Sequence, residues 1–202
     1  MIIRLRTAFL AVLPFLVMPA LAYAHMPIKG MANFYNGLLH PVLVPAHILL
    51  LVTAGLHFGQ QGINENKIPI LVFLVATVLG MISSMFSADS NFDVILLTGA
   101  TIIGLLVATN LRLPVYWCAI IGALTGFVIG LDSAQETLLG RDKIVALSGS
   151  AVGIYLLMLY PMGFADYFNK KPWQKVGVRI IGSWLAATSF LVLSLSLSPV
   201  KT

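Results

Sequence analysis

Charge is scarce in this sequence. Only 9% of the 202 residues are Asp, Glu, Lys or Arg, against roughly 25% in an average soluble domain, while 59% are hydrophobic. A water-soluble fold would lack the polar surface to cover itself. There is one cysteine, Cys118, inside an apolar run, which excludes an intramolecular disulfide and a cysteine-based metal cluster. Also missing are a P-loop, a nucleophile elbow, an HExxH, a CxxC and a dinucleotide glycine fingerprint. No residue is assigned a catalytic role, and neither an enzyme nor a tightly bound cofactor is expected. The net charge of +5 arises from basic residues spaced between apolar runs, a pattern of membrane topology rather than of nucleic-acid binding.

What is present begins with a targeting pattern. Arg4 and Arg6 precede an apolar stretch from Thr7 to Leu21, interrupted by Pro14 and Pro19, and Ala22 and Ala24 supply the small residues that signal peptidase reads. A signal peptide over 1–24 is expected to be cleaved, leaving His25 as the mature N-terminus; an uncleaved first helix is the alternative. Six later windows, near 33–59, 68–87, 92–110, 114–131, 144–165 and 176–197, have the apolar length that a hydrocarbon core about 30 Å thick requires. The expectation is therefore an all-α polytopic bundle of six transmembrane helices filling 25–202 as one domain in a bacterial inner membrane.

An external, periplasmic N-terminus places Lys67, Arg112, Lys170, Lys171, Lys175 and Arg179 inside, and Lys29, Arg141, Lys143 and Lys201 outside, in the sense of the positive-inside rule. The acids divide more sharply. Asp89, Asp93, Asp132, Glu136 and Asp142 fall at external ends, and only Glu65 and Asp166 fall inside. Gly122, Gly126 and Gly130 recur every four residues, as do Gly149 and Gly153, a spacing that lets helix backbones pack closely.

The segment from Asn36 to His47 is the most unusual. His40 and His47 are seven residues apart, almost two helical turns, and so share a face. Pro41 and Pro45 lack amide hydrogens, which frees the carbonyls of Gly37 and Pro41 from their helical partners. Such carbonyls at membrane depth must meet protein, water or an ion, and imidazole is a good ligand for Ni, Co, Cu or Zn. The competing reading makes each histidine a hydrogen-bonding partner of a neighbouring helix, with the prolines as mere kinks. His57, ten residues beyond His47, is read as interfacial.

Asp93 opens the third window, where a cap or helix-dipole partner is the plain explanation. Asp132 and Glu136 lie at the end of the fourth window, where negative charge is disfavoured by the helix dipole, and share a face if the helix continues. Either they attract a cation, together with the amine and imidazole of His25, or they are solvated loop charges.

The order of features resembles the HupE/UreJ family of small membrane proteins associated with hydrogenase and urease gene clusters and thought to be nickel or cobalt permeases. The residues that carry the resemblance are His25 behind the signal peptide, the run Gly37-Leu38-Leu39-His40-Pro41 closing at His47, Gly55-Leu56, Ile68-Pro69 with Phe73 and Gly80, and Asp93 followed by Gly104. The resemblance implies metal-contacting positions for His40 and His47. Pro45 and Ala46 stand where the family pattern has glycine and aspartate, and of the family's later histidine-rich stretch only the terminal acid remains, as Glu136.

Together these readings predict facilitative transport of a divalent transition-metal cation such as Ni or Co. The metal-contacting candidates are His25, His40, His47, Asp93, Asp132 and Glu136. The lipid bilayer and the cation are the expected partners, with a homo-oligomer or a larger membrane complex left open. The rival is a non-transporting accessory or assembly subunit of a metalloenzyme complex; a third reading is passage of a small neutral solute.

Overall fold

The computed structural model describes residues 32–86, 91–134 and 138–198. The expected signal peptide over 1–24, His25 and Glu136 lie outside them. The described residues form seven helices and no strand: α1 (Asn33–Leu43), α2 (Pro45–Gln61), α3 (Lys67–Ser83), α4 (Asp93–Thr109), α5 (Val115–Leu131), α6 (Gly140–Tyr167) and α7 (Pro172–Leu197). These follow the six apolar windows closely, except that the first window is two helices.

The break has a local cause. Val44 precedes Pro45, whose ring disfavours helical geometry in the residue before it, and Val44 is extended at φ −91°, ψ 111°. Pro45 then sits at the start of α2, where its missing N–H costs nothing. The axes of α1 and α2 differ by 73° across this residue.

By length and composition α6 and α7 can each cross a membrane, and α1 with α2 make a third crossing if the bent pair is one span. Helices α3, α4 and α5 are apolar but have 17 residues each, about 25 Å of helix and the lower edge of the roughly 17–25 residues used to span a bilayer.

Helix α2 is the hub, with thirteen of its seventeen residues buried. It packs against α6 and α4, while α1 packs on α6, α3 on α5, and α4 on α7. Glycine makes the closest of these contacts. A Cβ at Gly122 would sit 2.7 Å from the Pro69 carbonyl oxygen, and Cβ atoms at Gly126 and Gly130 would collide with the carbonyls of Phe73 and Thr77. The four-residue stripe is thus the α3–α5 seam, and Gly149 and Gly153 play the same part for α6 against Phe34 and Leu38 of α1.

One end of the bundle is tied by side chains that take up carbonyls at helix C-termini. Asn169 Nδ2 donates to Gln60 O at 2.6 Å, Gln60 Nε2 to Val107 O at 3.1 Å and Arg179 Nε to Ala108 O at 2.8 Å. Arg112, Lys170, Lys171, Lys175 and the exposed rings of Tyr116, Trp117, Tyr167 and Trp173 belong to the same end. Aromatic girdles of this kind mark the membrane–water boundary. Away from the ends, the outward faces of α3, α4 and α7 are aliphatic, with Ile68, Leu71, Ile102, Leu105, Leu191 and Leu195 all more than half exposed. Such a surface is suited to lipid.

Candidate metal-contacting site

The α1–α2 break decides where the two histidines meet. In a straight helix a seven-residue offset would separate them by about 10.5 Å of rise. The 73° bend instead brings the ring centroids of His40 and His47 to 5.2 Å, nearly perpendicular at 82°. Both residues are buried. They sit at the end of the bundle opposite the aromatic and basic one.

Pro41 frees the carbonyl of Gly37, and the structure shows its partner: Ser150 Oγ of α6 donates to Gly37 O at 3.1 Å. The absence of a side chain at Gly37 lets α6 approach this closely, since a Cβ there would overlap the Ala146 carbonyl. An unpaired carbonyl at this depth would cost about 1–3 kcal/mol. Of the two carbonyls freed by the prolines, that of Gly37 is thus met by protein, one of the three partners open to it.

Asp132 supplies the decisive contact. Helix α5 ends at Leu131, so Asp132 is its C-cap at φ −80°, ψ 0°, and the shared helical face expected with Glu136 does not extend from α5. The Asp132 carboxylate turns into the bundle and accepts from His47 Nε2 at 2.8 Å. His47 is 0% exposed and the aspartate side chain 5%. A negative charge at a helix C-terminus is disfavoured, and burial deepens the penalty; the imidazole N–H offsets both. With Nε2–H donated to the carboxylate, the lone pair of a neutral His47 is on Nδ1, which is buried and has no hydrogen-bond partner among the described residues.

His40, His47 and Asp132 are thus brought together. Asp93 is not joined to them by any hydrogen bond or ion pair among the described residues. It occupies the first turn of α4, its own N–H donating to Asn91 Oδ1 at 2.8 Å. His57 lies one turn before Gln61, near the end of α2, and is 1% exposed, enclosed by the bundle. Two contributors were not assigned a role from sequence. Ser150 was hidden between Gly149 and Gly153, and Asn36 is buried one turn before His40, a spacing that i, i+4 periodicity makes readable. Among the described residues no three His, Cys, Asp or Glu side chains are grouped to hold a metal ion.

Comparison with known proteins yields one match. The sequence model of the family described as HupE / UreJ protein matches residues 13–192, and the chain belongs to that family. No curated protein and no solved structure matches it. The family consists of transporter-like membrane proteins associated with nickel or cobalt transport or with urease and hydrogenase maturation, and this chain is accordingly a membrane protein.

Proposed function

From membership of the HupE / UreJ family as premise, we propose that the chain is a facilitative carrier of a divalent transition-metal cation of the Ni or Co type, handed inward by His40 and then His47. The observation that carries this reading is the His47–Asp132 pair. Histidines that bind metals commonly donate their second ring nitrogen to a carboxylate, which fixes the tautomer and raises the basicity of the coordinating nitrogen. His47 has that arrangement, with Nε2 on Asp132, Nδ1 without a hydrogen-bond partner among the described residues, and the His40 ring packed against its own. Asp132 is then an orienting group behind the ligand. Two imidazoles, with no third His, Cys, Asp or Glu grouped to hold an ion among the described residues, make a weak site, which suits passage, because a tight site would retain the ion.

In this proposal the six apolar windows are six spans after a cleaved signal peptide, with the Asp166–Lys175 segment cytoplasmic and the histidine end external, in an inner membrane. Asp93, Asp142, Glu136 and the amino-terminal His25 make the external mouth acidic or cation-binding and concentrate the ion before it reaches His40. The cation is cargo. With no ATP-binding motif in the sequence, its own gradient or an intracellular sink drives the flux.

Asp132→Asn tests the pairing directly. Asn keeps the shape but loses the charge that holds the His47 tautomer, so metal affinity measured by concentration-dependent uptake is expected to fall about 10–100-fold, as for other groups that hydrogen-bond a metal ligand. Unchanged uptake by Asp132→Asn would remove the reason for reading His47 as a ligand.

A further inference from the structure

The second buried histidine of α2 repeats the first. His57 lies ten residues after His47, about 15 Å along the helix and about 80° around it. Leu50 and Ala54 occupy the face between them. That face runs along the inner side of α2, antiparallel to α5: His47 meets Asp132 at the end of α5, and Gln61 meets Leu113 just before its start.

Gln61 stands behind His57 as Asp132 stands behind His47. Leu113 N–H donates to Gln61 Oε1 at 3.2 Å, which orients the amide so that its Nε2 hydrogen points at His57 Nε2, 3.1 Å away. The ring proton is then on Nδ1, and this nitrogen is buried with no hydrogen-bond partner among the described residues. A purely structural histidine would not leave a polar nitrogen unsatisfied here, because burying it carries the full cost of desolvation. If the Gln61 amide turns over, it gives up the Leu113 N–H, its oxygen accepts from His57 Nε2–H and the lone pair moves to Nδ1. The ring is then a ligand backed by an acceptor, as His47 already is.

We propose that His57 is a second, inner station for the same divalent cation, taken at Nδ1, with Gln61 as the positioning residue whose amide turns to accept the Nε2 proton. The inference rests on the transport reading for the identity of the cation. It places one imidazole at each end of the α2 face, with the aliphatic Leu50 and Ala54 as the barrier between two weak sites. Multiple weak sites in series favour flux over retention.

The test is Co2+ titration of the purified full-length protein in lipid nanodiscs, followed by the visible absorption of bound cobalt. His57→Gln is expected to bind one equivalent fewer than wild type, and His47→Gln to lose a different equivalent independently. Gln61→Glu, which places a permanent acceptor behind the ring, is expected to keep the wild-type count and tighten the inner equivalent several-fold, and it decides the matter if His57→Gln is not recovered folded. A wild-type count in His57→Gln, or inner affinity unmoved in Gln61→Glu, overturns the inner station and leaves the outer one standing. Failure of the transport reading has a different signature: wild-type protein that binds both equivalents yet moves no metal across a vesicle.

Discussion

His47→Ala is expected to abolish metal-dependent uptake while leaving folded protein in the membrane. The side chain removed is the one whose Nδ1 is buried without a hydrogen-bond partner among the described residues and whose Nε2 pairs with a buried carboxylate. Loss of the imidazole leaves Asp132 buried without its donor, so some destabilisation accompanies the loss of function, by about 0.6–2 kcal/mol if the pair behaves as an ordinary interhelical bond in a membrane protein. His47→Gln separates the two effects. Glutamine donates an amide hydrogen to Asp132 but offers no nitrogen lone pair to a cation. Stability should be restored and uptake should not. Restoration of uptake by glutamine would make His47 a structural hydrogen-bonding residue, the competing reading of the sequence. Uptake by vesicles of radiolabelled nickel or cobalt, with thermal unfolding of the same preparations, reads both quantities.

A larger effect on stability is expected from Gly126→Leu. Gly126 is the middle of the α3–α5 seam, and a Cβ there would collide with the Phe73 carbonyl and lie 2.9 Å from Thr77 Oγ1. Backbone atoms cannot move aside as a flexible side chain can, so the helices must separate. Overpacking of this kind costs about 1–3 kcal/mol or more, and the dispersion contacts along Gly122, Gly126 and Gly130 go with it. Gly177→Ala is the matched control. No atom lies within 4 Å of a Cβ at Gly177 in α7, and alanine in a helix is favoured over glycine by roughly 0.5–1 kcal/mol. Thermal unfolding in detergent should therefore show Gly126→Leu strongly lowered, and Gly177→Ala equal to wild type or slightly raised. Equal melting of Gly126→Leu and wild type would contradict the close seam.

The helices were legible because their apolar runs are bounded by Pro, Asn and charge. Pro41 and Pro45 mark the disturbed stretch of the first window, though by its apolar length that window reads as one span over 33–59, and the packing role of the glycine stripes could be read from their spacing. Their partners could not, since nothing local in Gly126 points to Phe73. The site was half legible. Two histidines beside two prolines marked the right helix, but the straight-helix argument for their shared face was not what joins them; the bend at Val44 does that. The Asp132 partner is 85 residues from His47 in sequence, and its pairing follows from where α5 stops and how α3 and α5 stand against the hub. The unfavourable position of an acid at a helix C-terminus was the signal that it needed a partner. Ser150 answered a question the prolines had posed, namely what takes the Gly37 carbonyl, and only tertiary packing could supply the answer. His57 could be placed near the far end of α2 by its distance from His47, but its enclosure by the other helices could not be read locally.

The chain is proposed to move a divalent transition-metal cation. Wild-type protein reconstituted in liposomes, with Ni2+, Co2+, Cu2+ and Zn2+ offered separately, tests it most directly. The account predicts saturable uptake of at least one of these ions well above the empty-vesicle rate, dissipating when the gradient is removed. Uptake of all four at the empty-vesicle rate, by protein shown to be folded and inserted, would contradict it.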